Sequence, residues 1–410
     1  MKICIHTLGC KVNQFESGTL SGMFRQIGWQ LVEFPGFAQV YVINTCSVTA
    51  AGDKKSRNAI RRARQINPDA LLAVCGCYPK SARPEHLTEL GADIIAGPGD
   101  KQQLFDQILE HTKTVIENPP TFEHGFATET KTRALLKVQD GCRNFCSYCI
   151  IPHTRPTLKS LSVKRALEQC ESMAANGFKE IVICGIEIAS YGRDFADKSI
   201  DLTAFVGSLC AAFPNIRFRL GSLKPNIVTE EFCAALAKHK NLCPHLHISL
   251  QSGSDNILKR MNRGYTTRLF YENVKTAQKH FDNCAITTDI IVGFPGETEQ
   301  DFAATIDFAK KCGFSQIHIF PYSKRAGTPA AGFGGQIGNA EKKRRAAQLA
   351  QVAAQIRLEY LKGQIGKTLT VIAEHGSMGH SENYLPVRLK NCTENSVIEI
   401  KINGTDDFVM

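Results

Sequence analysis

Three cysteines are packed into eight residues in the segment Cys142-Arg-Asn-Phe-Cys146-Ser-Tyr-Cys149. Thiolates at this spacing can ligate three irons of a cubane [4Fe-4S] cluster and leave the fourth iron without a protein ligand. A metal site that binds a substrate needs such an open position, whereas a site that only transfers electrons is usually closed by a fourth ligand. Two other interpretations stay open from the residues alone, namely buried structural thiols or a zinc site completed by His153.

Three further cysteines, Cys10, Cys46 and Cys77, each follow a short apolar run that is predicted to be a strand. In an open α/β sheet, the loops after parallel strands converge at one edge, where ligands gather. The pattern therefore predicts a second cluster site, assembled from residues distant in sequence. Buried cysteine in a strand is also ordinary. Cys75 competes with Cys77 for the third ligand position because alternation puts both on one face.

The elements that must position these cysteines are predicted from hydrophobic periodicity. The first part of the chain alternates apolar runs with helical patterns, the first helix running from Gly18 to Ile27, and this alternation indicates a parallel sheet with crossover helices. The next part has six candidate strands, two fewer than a complete α/β barrel, so we expect an open partial (βα)6 barrel. These strands are Leu135–Val138, Ile181–Cys184, Arg217–Leu220, Leu246–Leu250, Thr287–Val292 and Gln316–Phe320.

The remaining chain predicts a connecting helix and a small β unit. Because a unit of fewer than about 50 residues rarely folds alone, the β unit should dock on the barrel. We thus expect an α/β protein of several parts. They are an open parallel α/β domain at 1–115, a linker at 116–132, the partial barrel at 133–340, the connecting helix at 341–362 and a small β-barrel at 363–410.

Composition argues against a membrane-spanning or a secreted protein. No apolar run approaches the ~18 residues that span a bilayer, and no secretory signal is seen, so we expect a cytoplasmic location, where the sixteen cysteines stay reduced. The net charge of +10 and the pI of 8.8 indicate a polyanionic partner. The basic residues on helical patterns are Lys54, Arg57, Arg61 and Arg64, with a second run at Lys342, Lys343, Arg344 and Arg345.

The cysteine spacing at 142–149, directly after a barrel strand, resembles that of the radical S-adenosylmethionine superfamily. The resemblance implies that this cluster binds S-adenosylmethionine and that one electron splits the cofactor into methionine and a 5′-deoxyadenosyl radical. It also implies cofactor contacts in the cysteine loop and at the ends of later strands. These contacts are Tyr148, Gly185, Ser249, Gln251, Asp289 and Gly293.

A closer resemblance comes from the amino-terminal part. The segments that carry it are Thr7-Leu8-Gly9-Cys10-Lys11-Val12-Asn13-Gln14-Phe15-Glu16-Ser17, Asn44-Thr45-Cys46-Ser47-Val48-Thr49 and Gly76-Cys77. They resemble the signature of the methylthiotransferases, most of all the branch that acts on N6-threonylcarbamoyladenosine at position 37 of tRNA. The resemblance implies a second [4Fe-4S] cluster on Cys10, Cys46 and Cys77, and S-adenosylmethionine as both methyl donor and radical source.

The resemblance also implies several partners. They are tRNA, a sulfide source, and an electron donor such as flavodoxin or ferredoxin. The carboxyl-terminal unit resembles the RNA-binding TRAM domain, with Asn383 and Tyr384 as candidate RNA contacts. Alternative substrates are isopentenyladenosine in tRNA and a ribosomal-protein aspartate, and a non-enzymatic iron–sulfur RNA-binding protein is a further alternative.

Three residues depart from the family pattern. Pro156 stands where glycine is typical, Lys224 where an acid is common, and Glu187 where His or Asn is frequent. Proline fixes the backbone where glycine would leave it free, so the conformation around Arg155 is not predicted by the resemblance. The roles of Glu187 and Lys224 are not assigned by it.

Overall fold

The computed structural model describes residues 1–99, 101–121, 132–390 and 392–409. Most of the predicted linker, at 122–131, therefore lies outside the described residues. No helix in the described part of the chain is long and apolar enough to cross a membrane.

The amino-terminal part is a parallel sheet covered by helices on both faces. The sheet has five strands in the order β2-β1-β3-β4-β5. The central strand is buried along its whole length, which is typical of a parallel strand covered on both sides. The elements are β1 Lys2–Thr7, α1 Lys11–Gln26, β2 Gln30–Leu31, β3 Val40–Thr45, α2 Ala50–Ile66, β4 Leu71–Gly76, α3 Tyr78–Ser81, α4 Pro84–Glu89, β5 Ile94–Ile95 and α5 Lys101–His111.

Helix α1 begins at Lys11, well before the predicted start at Gly18. Its first turns carry the polar residues Asn13, Glu16 and Ser17, all of which are buried. Buried polar residues hide the apolar periodicity from which a helix is predicted. The early start brings these polar side chains to the edge of the sheet where the cysteines lie.

The central part contains the six predicted strands. They run in parallel in the order β6, β8, β9, β11, β12, β13, and an isolated bridge between Phe218 and Leu242 joins the two halves of this open barrel. The elements are β6 Arg133–Asp140, α6 Ile151–Thr154, β7 Lys159–Ser160, α7 Val163–Ala175, β8 Glu180–Gly185, α8 Leu202–Ala212, β9 Arg217–Leu220, β10 Ser222–Leu223, α9 Glu230–Leu236, β11 His245–Ile248, α10 Asp255–Arg260, α11 Thr267–His280, β12 Ala285–Val292, α12 Glu299–Cys312 and β13 Gln316–Pro321.

The two faces of the barrel sheet differ in chemistry. Strand residues such as Ile183, Ile248 and Ile290 belong to the large apolar core that also includes residues of the surrounding helices. The alternate residues, including His247 and Asp289, lie on the inner face and bond to one another across strands. The inner face of the partial barrel is therefore polar.

A long helix leads to the carboxyl-terminal sheet. The helix packs on β13 and α12, and the sheet is antiparallel in the order β16-β15-β14-β17. The expected small barrel is found as this four-stranded sheet, with an apolar core that includes Leu369, Val371 and Phe408. The elements are α13 Asn339–Lys362, β14 Thr368–Glu374, β15 Met378–Ser381, β16 Pro386–Arg388 and β17 Val397–Lys401.

A buried ion cluster docks this sheet on the amino-terminal ends of the barrel strands. The carboxylate of Glu180 accepts hydrogen bonds from Arg217 at 2.5 Å and Arg219 at 2.7 Å. The two guanidinium groups also donate to backbone carbonyls of the sheet, among them His380 and Ser381 at 3.1 Å each. Burial alone would raise the pKa of Glu180, but the two arginines outweigh it and hold that pKa at about 2. Glu180 is thus charged and fixes both arginines at the interface.

We expect the substitution Glu180→Gln to destabilise the protein. Removing one partner of a buried ion cluster leaves uncompensated charge, which typically costs about 3–5 kcal/mol. Urea unfolding followed by circular dichroism would measure the loss. The matched control is Glu230→Gln, because Glu230 also bonds to two side chains, Lys279 and His280, but is half exposed. Equal midpoints for Glu180→Gln and the control would show that the interface does not depend on this cluster.

Candidate active site

The structure brings Cys10, Cys46 and Cys77 together at one edge of the amino-terminal sheet. They follow β1, β3 and β4, which are neighbours in the sheet. Burial raises the pKa of the Cys46 thiol to about 11, and the nearby Cys77 and Cys10 thiols add to that rise. Cys75, the competing residue, is fully buried within β4 and belongs to the apolar core around Ile94.

Two glycines permit this convergence. Gly9 has a positive φ of 102°, and a Cβ on it would lie 3.0 Å from the Cys46 sulfur. Gly76 has a φ of 94°, and a Cβ there would lie 2.3 Å from the carbonyl oxygen of Thr45. Only glycine adopts such a backbone without a clash, which explains the Gly-Cys pairs of the sequence.

The second set of thiols lies in the loop after β6. Cys142 and Cys146 are buried and Cys149 is half-buried. Burial, with a smaller contribution from the Cys146 and Cys142 thiols, raises the pKa of Cys149 to about 12. Two donors approach the sulfurs: the Arg263 guanidinium lies 3.2 Å from the Cys146 sulfur, and the Asn144 amide lies 3.4 Å from the Cys142 sulfur.

The donor chemistry of both thiol sets fits iron–sulfur clusters. Each set offers three thiols, and in a cubane cluster each cysteine ligates a different iron. Sixteen cysteines are all free of disulfide bonds, and buried thiols with raised pKa values ionise only beside compensating positive charge. The donor chemistry therefore fits the predicted clusters.

Arg155 links the two sets directly. Its backbone carbonyl accepts a hydrogen bond from the Cys142 amide at 3.0 Å. Its guanidinium donates to Glu16 and Asp140, and its positive charge opposes the rise that burial causes in the pKa of Cys77. Although Pro156 replaces the usual glycine, these contacts fix Arg155 between the two domains.

The six predicted cofactor contacts surround the inner face and the carboxyl ends of the barrel strands. Tyr148 lies in the cysteine loop, and Gly185 ends β8, where a Cβ would lie 2.9 Å from a backbone oxygen of Gln139. The Ser249 carbonyl accepts from Arg263 at 3.2 Å. The remaining three are Gln251, Asp289 and Gly293. The backbone N–H of Gln251 donates to the backbone carbonyl of Asp289, and Gly293 lies against the Lys342 side chain. Their cofactor roles stay predictions.

A polar network beside the cysteine loop was not predicted from the sequence. The Asn144 amide donates to the Glu187 carboxylate at 2.7 Å, and the Asn144 amide oxygen accepts from Lys224 at 3.1 Å. Asn144 therefore connects the two residues that depart from the family pattern. The sequence did contain a signal for this pairing. Glu187 and Lys224 both depart from the family pattern, and they carry opposite charges.

Some of the predicted RNA contacts serve other roles in the structure. Lys54 and Arg61 are exposed on α2, whereas Arg57 bonds to Tyr78 and Arg64 forms an ion pair with Asp93 at 2.7 Å. The Arg64 guanidinium also donates to three backbone carbonyls of its own domain, and its RNA role stays a prediction.

The second basic run is mostly neutralised. Arg345 is buried and pairs with Glu297, Arg344 pairs with Glu299 and Glu341, and Lys342 is buried with its amine 5.0 Å from the ring of Tyr322. Only Lys343 of this run is exposed without a described ion pair. The other three residues have partners within the protein, and the cationic surface expected at the start of α13 stays a prediction.

Asn383 and Tyr384, the predicted RNA contacts of the carboxyl-terminal unit, contact other protein groups in the structure, and their RNA roles stay predictions. Asn383 is 1% exposed and bonds to Ser381 and Gln364. The Tyr384 ring stacks on His245 with centroids 4.8 Å apart and lies under the Arg219 guanidinium. Tyr384 therefore belongs to the interface between this sheet and the barrel, whereas Asn383 packs the sheet on the end of α13.

Comparison with known proteins fits this architecture. The family model of the Radical SAM superfamily matches residues 136–309, and that of the Uncharacterized protein family UPF0004 matches residues 2–97. Among solved structures, the radical S-adenosylmethionine methyltransferase TsrM from Kitasatospora setae, with cobalamin and a [4Fe-4S] cluster bound, has a TM-score of 0.57 at 14% identity, covering 96% of this chain and 83% of that chain. The fold and the cysteine loop define a radical S-adenosylmethionine enzyme.

Relatives of nearly full length narrow the class. The threonylcarbamoyladenosine tRNA methylthiotransferase MtaB of Bacillus subtilis (strain 168) is 36% identical, covering 98% of this chain and 93% of its own, and that of Thermotoga maritima is 35% identical, covering 99% and 98%. The tRNA-2-methylthio-N(6)-dimethylallyladenosine synthase of Pelotomaculum thermopropionicum is 32% identical, covering 91% and 86%. The chain belongs to the radical S-adenosylmethionine methylthiotransferase family, with greater identity to these members of its threonylcarbamoyladenosine branch.

We expect Glu187 and Lys224 to be energetically coupled through Asn144. Glu187→Gln or Lys224→Gln alone leaves one charge without its counterpart, whereas the double variant removes both charges. A double-mutant cycle on urea unfolding should give a coupling free energy of about 0.5–3 kcal/mol. The same cycle on Arg268 and Glu272, an exposed helical pair, should give no resolvable coupling. Additive losses at the first pair would mean that Asn144 does not connect them.

Proposed function

We propose that this protein converts N6-threonylcarbamoyladenosine beside the anticodon of tRNA to its 2-methylthio derivative. S-adenosylmethionine serves as methyl donor and as radical source. The observation that carries the proposal is that one residue, Arg155, contacts both thiol sets across the domain interface. The greater identity to relatives named for threonylcarbamoyladenosine supports this substrate over dimethylallyladenosine.

The two thiol sets would hold two [4Fe-4S] clusters, one on Cys10, Cys46 and Cys77 and the other on Cys142, Cys146 and Cys149. The aromatic C2–H of adenine is not acidic enough for a side-chain base, and the bound cofactors supply the radical chemistry that this bond requires. Arg263 and Asn144 donate toward the sulfurs of the second set, and Arg155 places positive charge beside Cys77.

The protein's own residues hold and orient the substrates. The polar inner face of the barrel accepts a nucleobase next to the exposed Cys10, and the apolar outer face keeps water from the strands behind it. Lys54 and Arg61, exposed on α2, bind tRNA phosphates. Tyr148, Gly185, Ser249, Gln251, Asp289 and Gly293 remain the proposed contacts for S-adenosylmethionine.

Further partners complete the proposal. An electron donor such as flavodoxin or ferredoxin reduces the clusters, and a sulfide source replaces the sulfur that leaves with each product. We place the protein in the cytoplasm, which its free thiols support. The carboxyl-terminal sheet serves as a TRAM-like RNA-binding unit, for which Asn383 and Tyr384 remain the predicted contacts.

We expect each thiol set to hold its own cluster. After anaerobic reconstitution, Cys10→Ala and Cys142→Ala should each lower iron and sulfide by about half, since each removes one thiolate ligand of one cluster. Iron analysis of the reconstituted proteins measures the loss. The control is Cys75→Ala, in the core and outside both sets, which should keep the wild-type iron content. Unchanged iron in Cys10→Ala would remove the second cluster from the proposal.

Nucleoside analysis tests the substrate. In cells that lack the gene, 2-methylthio-N6-threonylcarbamoyladenosine should disappear from digested tRNA, and the unmethylthiolated precursor should rise to match. Mass spectrometry measures both nucleosides. Complementation with wild type restores the product, and with Cys142→Ala it does not. A normal level of this nucleoside together with loss of 2-methylthio-isopentenyladenosine would show that the substrate is isopentenyladenosine instead.

A further inference from the structure

A hydrogen-bonded column of side chains lines the inner face of the barrel. The Thr287 hydroxyl lies 3.0 Å from His245 Nε2 and 2.9 Å from His247 Nδ1. His247 Nε2 in turn lies 3.2 Å from an oxygen of Asp289. His318, the register partner of Asp289 on β13, is exposed, and its ring centroid is 5.8 Å from that of His247. The column thus ends at an open, polar rim.

Lys11 begins the helix by which the amino-terminal domain packs on the barrel. It is the first residue of α1, directly after Cys10, and α1 packs on β6 and β8 of the barrel. Partial desolvation by the surrounding strands lowers the pKa of His318 although its side chain reaches the surface, and the positive charge of Lys11 acts in the same direction. Lys11 likewise opposes the rise to about 12 that burial causes in the pKa of Cys184 on β8. Lys11 therefore lies near the inner face of strands on both sides of the barrel opening.

The charge on Lys11 is not balanced by the protein. The neighbouring cations Lys137 and Arg155 are paired with Glu16 and Asp140. Asp289, the carboxylate of the column, is bonded to His247. Among the described residues, none forms an ion pair with Lys11. The opening beside Cys10 therefore presents one unpaired cation and a neighbouring imidazole, which together suit an anionic ligand group with hydrogen-bond acceptors.

We propose that Lys11 and His318 bind the carboxylate of the threonylcarbamoyl group of the substrate adenosine. This inference rests on the proposed function and names the residues that select its substrate. A base that reaches the thiols beside Cys10 carries its N6 substituent into the same opening. The isopentenyl group of the competing substrate is uncharged and cannot pair with Lys11 there. Lys11 is thus a specificity residue, and it discriminates substrates by charge.

Binding of tRNA to the anaerobically reconstituted full chain tests the inference. The probes are one tRNA with N6-threonylcarbamoyladenosine and the same tRNA with unmodified adenosine, measured by filter binding. We expect wild type to prefer the first by about tenfold, the size of one charge-assisted hydrogen bond. Lys11→Gln should abolish the preference, Lys11→Arg should retain it, and His318→Asn should reduce it. Lys240→Gln, which removes an exposed lysine at the opposite end of the barrel strands, should keep it.

Several outcomes would overturn the inference. They are no preference in wild type, an undiminished preference in Lys11→Gln, and an equal loss for both tRNAs, which would indicate a phosphate contact. Weaker binding of S-adenosylmethionine by Lys11→Gln with an intact tRNA preference would assign Lys11 to the cofactor's carboxylate instead. Iron content equal to wild type in each variant shows that the cluster site is intact. If wild type prefers threonylcarbamoyl tRNA yet leaves it unmodified, the proposed function fails and the binding site stands.

Discussion

The arrangement of this protein depends on one buried carboxylate, that of Glu16. It lies in α1, is 1% exposed, and pairs with Lys101 of its own domain and with Lys137 and Arg155 of the barrel. Burial alone would raise the pKa of Glu16, but the three cations outweigh it and hold that pKa well below its ordinary value. A buried charge with three partners has little freedom to move, because loss of any partner leaves charge unpaired in a medium of low dielectric. The two domains are thus held in one relative position.

A second inter-domain contact lies on the other side of the thiols. Arg325, in the loop after β13, pairs with Asp53 at 2.6 Å and donates to the Ser47 hydroxyl at 2.8 Å. Because Ser47 directly follows Cys46, Arg325 lies beside Cys46. Arg155 likewise lies beside Cys77. Each inter-domain arginine therefore also fixes the backbone or the charge beside a thiol. A site assembled from two domains needs such support, since small displacements of reacting groups are costly in rate.

Much of this site could be predicted from the sequence, for local reasons. The strand pattern predicted that Cys10, Cys46 and Cys77 follow neighbouring parallel strands, and topology then brings them to one edge. The spacing at Cys142 is a signal confined to one loop. The surroundings of Tyr384 could not be predicted in this way, because they are decided by residues far away in the chain. Tyr384 is covered only because His245 and Arg219 lie beneath the docked sheet.

Charge explains why polar residues concentrate around thiols that are themselves buried. Burial raises the pKa of Cys46 to about 11 and that of Cys149 to about 12, so both thiols are protonated at neutral pH when no metal is bound. Ligation of iron requires thiolate, so assembly of the sites must release protons and place negative charge in a region of low dielectric. Nearby cations stabilise these thiolates. Arg263 contacts Cys146. The Glu16 cluster, with Asp140 included, carries one more positive than negative charge. The ion cluster that fixes the domains thus also favours the charged form of the groups between them.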